Sequence, residues 1–200
     1  MTTSIRAGEG WRVVDIVVAA VLAVAFGVVF QVWNVLWEAT TFVFPPFRGA
    51  IYGVWMLPAV LVPLVVRRPG AALFAEVVAA SASMLFGAQW GLLTVLYGLV
   101  QGAAAELVFA FGLYRAWSLP VAILAGAAAG LGGAILDIPL FYSEIFEGEN
   151  WGVDWQVMYV AIVAASSALI AGVGSWLLVR ALAATGVLSD FPSGREQAEV

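Results

Sequence analysis

The chain has 200 residues, of which 64% are hydrophobic and 10% charged, with a mean hydropathy of +1.02. A soluble domain of this size cannot bury so much apolar surface, so the fold class is an all-α integral membrane protein. Histidine, cysteine and lysine are absent, which excludes Ser/His, Cys/His and Ser/Lys catalysis, thiolate or imidazole metal sites and a Walker A lysine; the net charge of −5 argues against nucleic acid.

The first apolar run, Val13 to Trp37, is too long for a signal-peptide core, and no convincing cleavage site follows it. It reads as the first membrane helix. Crossing ~30 Å of hydrocarbon takes about 20 helical residues. Six segments meet that length, at about 12–38, 49–67, 71–88, 92–114, 118–139 and 156–184. "FVFPPFRG", "RRPG", "GAQWG" and "YRAWSLP" separate the first five, and "FYSEIFEGENWGVDW" is one long polar loop before the sixth. Residues 1–185 read as a single six-helix membrane domain, and 186–200 as a polar C-terminal tail without structure. With six spans, Arg6, Arg12, Arg67, Arg68, Arg115, Arg180 and Arg195 fall on one side and only Arg48 on the other. The positive-inside bias then places both termini in the cytoplasm and Glu144, Glu147, Glu149 and Asp154 outside.

Glu106 stands inside the fourth span and Glu76 inside the third. Counted from Arg115 and Arg68 at 1.5 Å per residue, they lie about 13 and 12 Å above the cytoplasmic face. Acids at that depth face the bundle interior or a cavity. They either contact a polar or cationic ligand or satisfy each other, Gln101 or serines of neighbouring helices. Gln101 is five residues from Glu106, so the two point about 140° apart and need not share a pocket. Asp15 lies three residues from Arg12, consistent with a local ion pair. Asp137, near the end of the fifth span, reads as marking the helix end rather than lining a mouth.

Most of the nine tryptophans fall toward the outer side: Trp33, Trp37, Trp55, Trp90, Trp151 and Trp155. Phe30, Trp33, Asn34 and Trp37 follow i, i+3, i+4, i+7 spacing and form one face of the first helix. An interfacial belt explains part of this enrichment. The sharper reading is an aromatic cage whose indole faces take a flat, cationic or amine-bearing ligand, with Gln89, Trp90 and Trp155 at the same mouth. Ala19, Ala23 and Gly27 repeat every four residues, a stripe suited to close helix approach, inside the bundle or with a partner. "AGAAAGLGGA" in the fifth span shows the same tendency.

The segments "RRPGAALFAEVVAA", "GAQWG" and "GLVQGAAAELVFAFGLYR", in this order, resemble the YkoE-type substrate-binding (S) component of energy-coupling factor (ECF) transporters. The resemblance covers about 11–185. It implies a six-helix subunit, itself not an enzyme and without a cofactor, that captures thiamine or its hydroxymethylpyrimidine moiety (HMP) from outside a prokaryotic cell membrane. It also implies a separate transmembrane coupling protein and two ABC ATPases as partners. Glu76, Gln89, Trp90, Gln101 and Glu106 fall within the motifs. Ala19 and Ala23 match the stripe with which such components dock on the coupling protein. Two other classes stay open on the residues alone. One is a membrane-embedded enzyme using the buried carboxylates, though no nucleophile accompanies them. The other is a membrane scaffold, supported only by the small-residue helices.

Overall fold

The computed structural model describes residues 10–43, 45–142 and 153–198, and these are helical, with no strand among them. The acidic residues Glu144, Glu147 and Glu149, together with Arg6 and Trp151, lie outside the described residues.

Helix α1, Val13–Glu38, buries one stripe: Asp15, Ala19, Ala23, Gly27, Phe30, Asn34 and Trp37. Valines fill most of its other faces and are exposed, as a lipid-facing surface should be. Asp15 is fully buried and closes a capping interaction with the Arg12 backbone. Its carboxylate pairs with Arg12 and also with Arg68, each at 2.7 Å. The pair expected with Arg12 is therefore one half of a clamp that ties the start of α1 to the turn before the fourth helix.

The second span is composite. Helix α2, Pro45–Arg48, leads into a 3-10 stretch, Gly49–Met56, and then α3, Leu57–Val66. A 3-10 segment is narrower and longer per residue than an α-helix. Here it brings Tyr52 and Trp55 beside the buried end of α1, with both rings packed on Trp37. Every residue of α3 from Pro58 to Val66 is buried. Helices α4, Ala71–Leu85; α5, Leu92–Phe111; and α6, Leu119–Asp137, wrap this central rod together with α1 and the last span. The last span joins α7, Val153–Ser167, to α8, Gly174–Ala184, through a π-helical stretch at Ala168–Val173.

Close crossings hold α6 to that last span. A Cβ on Gly126 would meet the Ser167 carbonyl at 2.5 Å and the Gly172 nitrogen at 2.9 Å. The glycines of "AGAAAGLGGA" thus serve packing within the chain.

Among the described residues, five helical segments are long and apolar enough to cross a membrane. The third segment, α4, has 15 residues and stops at Leu85, three short of the bound read from the sequence, because a turn from Phe86 to Gly91 takes over. The tail departs further from expectation. Leu188 and Phe191 are buried, α9 spans Pro192–Ala198, and Ser193 donates to the Val65 carbonyl at 3.2 Å. Two apolar side chains amid polar ones suffice to fold this segment back onto the end of α3.

Ala19 and Ala23 have no exposed surface. One turn further along the same stripe, a Cβ on Gly27 would meet Ala82 and the Ala79 carbonyl of α4. The stripe therefore lets α1 approach α4, and the surface it was expected to offer a coupling protein is occupied within the chain.

Candidate ligand-binding site

A cavity of about 280 Å³ lies at the N-terminal end of α3. The buried face of α1 supplies Phe30, Asn34 and Trp37; the 3-10 stretch supplies Tyr52 and Trp55. Trp90, from the turn between α4 and α5, completes an edge-to-face array. Ring centroids are 5.0 Å apart for Trp37–Trp55, 5.2 Å for Tyr52–Trp55 and 6.2 Å for Trp55–Trp90. The Trp55 indole donates to the Asn34 side-chain oxygen at 3.0 Å, and Asn34 in turn donates to Ser83 at 3.4 Å. These bonds fix the orientation of the wall.

Among the described residues, three carboxylates and one arginine line the cavity. Glu76 is fully buried. Its Oε2 accepts the Ala59 N–H at 3.0 Å, in the first turn of α3, whereas Oε1 has no hydrogen-bond partner. A buried carboxylate oxygen without a donor is costly to leave so, and marks where a donor on a ligand would be received. Asp137, on the far wall, accepts phenol hydroxyls from Tyr97 at 2.6 Å and Tyr159 at 2.5 Å. Tyr142 packs edge-on against Tyr159, and the Gln101 amide lies within 3.5 Å of the Tyr52 hydroxyl. At the mouth, Glu38 is exposed and accepts from the Gln89 amide at 3.1 Å. Arg48 crosses the opening: it donates to Thr40 at 3.1 Å and to the Trp37 carbonyl at 2.9 Å, with its guanidinium 4.2 Å from a Trp37 ring centroid.

Of the residues singled out in the sequence, Glu76, Asn34, Trp37, Trp90 and Gln101 meet in this cavity. Gln89 stands behind its rim, holding Glu38. Trp33 points to the flank and donates to the Ile51 carbonyl at 3.1 Å. Trp155 is exposed on α7, away from the lining.

Glu106 is also apart. It accepts backbone N–H groups of Gly70 at 2.6 Å, Ala72 at 2.9 Å and Leu73 at 3.4 Å. Those are the groups that a helix start leaves without intrahelical partners, and Gly70 brings no side chain to cap them. Burial, and then the Glu106 carboxylate, push the neighbouring Tyr114 phenol up to about 12. The two glutamates are not level. Glu76 packs against Gly98 and Gly102, one to two turns nearer the N-terminus of α5 than Glu106.

Glu106→Ala should therefore remove the cap of α4, at a cost of about 1–2 kcal/mol. A melt should fall by about 2–8 °C for a chain of this size, and ligand affinity should stay within about twofold. A thermal melt and a ligand titration on the purified variant check this. Lost affinity with an unchanged melt would return Glu106 to the ligand.

Tyr52, Tyr97, Tyr159 and Asp137, with Glu38, Arg48 and Tyr142, are among the cavity residues that the sequence reading did not assign to a site. The weak signal was Tyr97 and Gln101 at i, i+4 on one face of α5.

The model of a family described as "ABC-type cobalt transport system, permease component" matches residues 14–132. A Bacillus subtilis (strain 168) protein named as an HMP/thiamine permease, YkoE, is 33% identical over 189 residues, covering 94% of this chain and 92% of its own length. The crystal structure of an S-component of an ECF transporter matches with a TM-score of 0.87 at 30% identity, covering 95% of this chain and 94% of that one. The apolar helices and these relatives describe a multi-pass membrane transporter subunit, a class that is not itself an enzyme. The chain belongs to the YkoE-type S components of the energy-coupling factor transporters.

Proposed function

We propose that this chain captures thiamine or HMP from outside a prokaryotic cell and delivers it to a coupling protein driven by two ABC ATPases. The observation that carries the reading is the unpartnered Glu76 Oε1 beneath an array of indole rings. An aminopyrimidine offers an exocyclic amine to such an oxygen, and its flat ring suits the indole walls. A thiazolium is cationic and suits a cavity lined by the carboxylates of Glu38, Glu76 and Asp137. Cobalt, the metal in the family description, is less well served. The chain has no histidine or cysteine, and among the described residues no group of three acids could hold a metal. Trp37, Trp55 and Trp90 give the test its readout. Thiamine or HMP should quench the tryptophan fluorescence of the purified chain saturably. No quenching and no thermal shift with either compound would end the proposal.

The reading includes six spans with both termini in the cytoplasm, α4 serving as a short third span. The chain has no native cysteine, so single-cysteine labelling is clean. A cysteine replacing the exposed Asp154 should react with an impermeant reagent only from outside, and one replacing Gly186 only after the membrane is opened. The reverse pattern would invert the topology.

A further inference from the structure

Most polar side chains around the aromatic cavity serve one another. Tyr97 and Tyr159 donate to Asp137, Asn34 joins Trp55 to Ser83, and Gln89 holds Glu38. Among the described residues of the lining, two buried side-chain atoms have no hydrogen-bond partner: Glu76 Oε1 and Thr94 Oγ1. A threonine hydroxyl in a helix ordinarily turns back to a carbonyl three or four residues earlier. Thr94 does not: the Gly91 and Trp90 carbonyls take the Thr94 and Leu93 N–H groups instead, each at 3.1 Å.

Helix packing sets the two residues beside one crossing. A Cβ on Gly98 of α5 would meet the Ala80 Cβ at 2.6 Å and the Glu76 carbonyl at 3.0 Å, and one on Gly102 would meet the Glu76 Cβ at 2.9 Å. Thr94 stands on the same face of α5, one turn before Gly98 and toward Trp90. Ala80, one turn beyond Glu76 on α4, lines the cavity between them. The two atoms differ in what they can do. An ionised carboxylate only accepts, whereas a hydroxyl also donates. A ligand that satisfies both presents an N–H donor and an acceptor.

We propose that Thr94 is a specificity-determining residue of this site, its hydroxyl donating to a ring nitrogen of the aminopyrimidine whose exocyclic amine Glu76 accepts. The assignment rests on the thiamine or HMP reading of the cavity. It adds what the indoles cannot supply, because flat rings of like outline stack on them alike. A buried hydroxyl that is paired by one ring and left orphaned by another tells the two apart.

The test is a set of titrations on wild type, Thr94→Val and Thr94→Ser. The ligands are HMP and its two pyridine analogues, in each of which one ring nitrogen is replaced by C–H. Thr94→Val keeps the shape and should weaken HMP by about three- to tenfold, the worth of one neutral hydrogen bond. Its melting temperature should hold or rise, since an orphaned hydroxyl has been removed from a buried place. Thr94→Ser keeps the donor and should stay within about twofold. The valine penalty should persist for one analogue and vanish for the one that lacks the contacted nitrogen. Comparing the two proteins on each ligand cancels differences in ligand basicity. If the valine variant fails to fold, Thr94→Ala removes the same hydroxyl with a strong helix former, and the same affinity losses are expected. Wild type that binds HMP while the hydroxyl-free variant binds it equally well would overturn the assignment alone. So would a penalty of the same size on HMP and both analogues. Wild type that binds neither HMP nor thiamine would overturn the functional reading and this assignment with it.

Discussion

Glu76→Gln should weaken thiamine and HMP binding by about ten- to a hundredfold while leaving the fold intact. The amide oxygen can keep the Ala59 N–H, so the start of α3 stays capped. The amide nitrogen then replaces Oε1, and a donor stands where the cavity had an acceptor. Against the exocyclic amine of an aminopyrimidine, donor meets donor. A hydrogen bond to a charged group is worth ~1.5–3 kcal/mol, which sets the range. Glu38→Gln is the matched comparison at the exposed rim, where solvent screens the charge, and should cost less than about threefold. Titrations on both purified variants decide the matter. Equal affinities in wild type and Glu76→Gln would remove Glu76 from the ligand and leave the rings as the recognition surface.

Asp137→Ala should produce the largest loss of stability. It strips the acceptor from Tyr97 and Tyr159 at once, in a wall where water is scarce. Each orphaned buried donor costs about 1–3 kcal/mol, so a loss of about 2–6 kcal/mol is expected. Asp137→Asn should be milder, because one phenol keeps its acceptor and the other can turn its hydroxyl to accept from the new amide. Tyr159→Phe removes a single donor and should cost about 1 kcal/mol. The order Ala, Asn, Tyr159→Phe in thermal melts is the expected result. A melt of Asp137→Ala equal to wild type would show that the phenols find other partners.

Much of the architecture was legible because lipid imposes it. Apolar run lengths located the five segments that, among the described residues, are long and apolar enough to cross a membrane, and the stripe Phe30, Asn34, Trp37 located one wall of the cavity. Trp33 lies three residues from Phe30 and four from Trp37, yet it sits at the edge of that stripe and its indole donates to the Ile51 carbonyl. Glu106 was misplaced in depth for a definable reason. Counting from the arginines assumes that each helix begins beside its charge. Here the turn after Arg68 leaves the first N–H groups of α4 bare, and they draw a carboxylate from the neighbouring helix. The Asp137 cluster was not legible, because its phenols come from α5 and α7 and no local pattern pairs them. The alanine stripe was ambiguous by nature: close packing inside a bundle and close packing against a partner need the same small side chains. The folded tail rests on two side chains, Leu188 and Phe191, too few to register in a composition dominated by polar residues.

Arg48 gives the aromatic site a property that its rings alone would lack. The guanidinium occupies the face of Trp37, so the place best suited to a cationic guest already holds a cation. A guest that takes this face changes places with part of the chain. The charge over the ring is the same before and after, and distant attraction speeds the approach more than it tightens the final hold. The displaced arginine stays tethered through α2, and its effective concentration at the ring is fixed by that short tether and does not fall on dilution. The chain thus carries its own competitor. How tightly a guest is held depends on how readily Arg48 leaves, as well as on how well the indoles receive what replaces it.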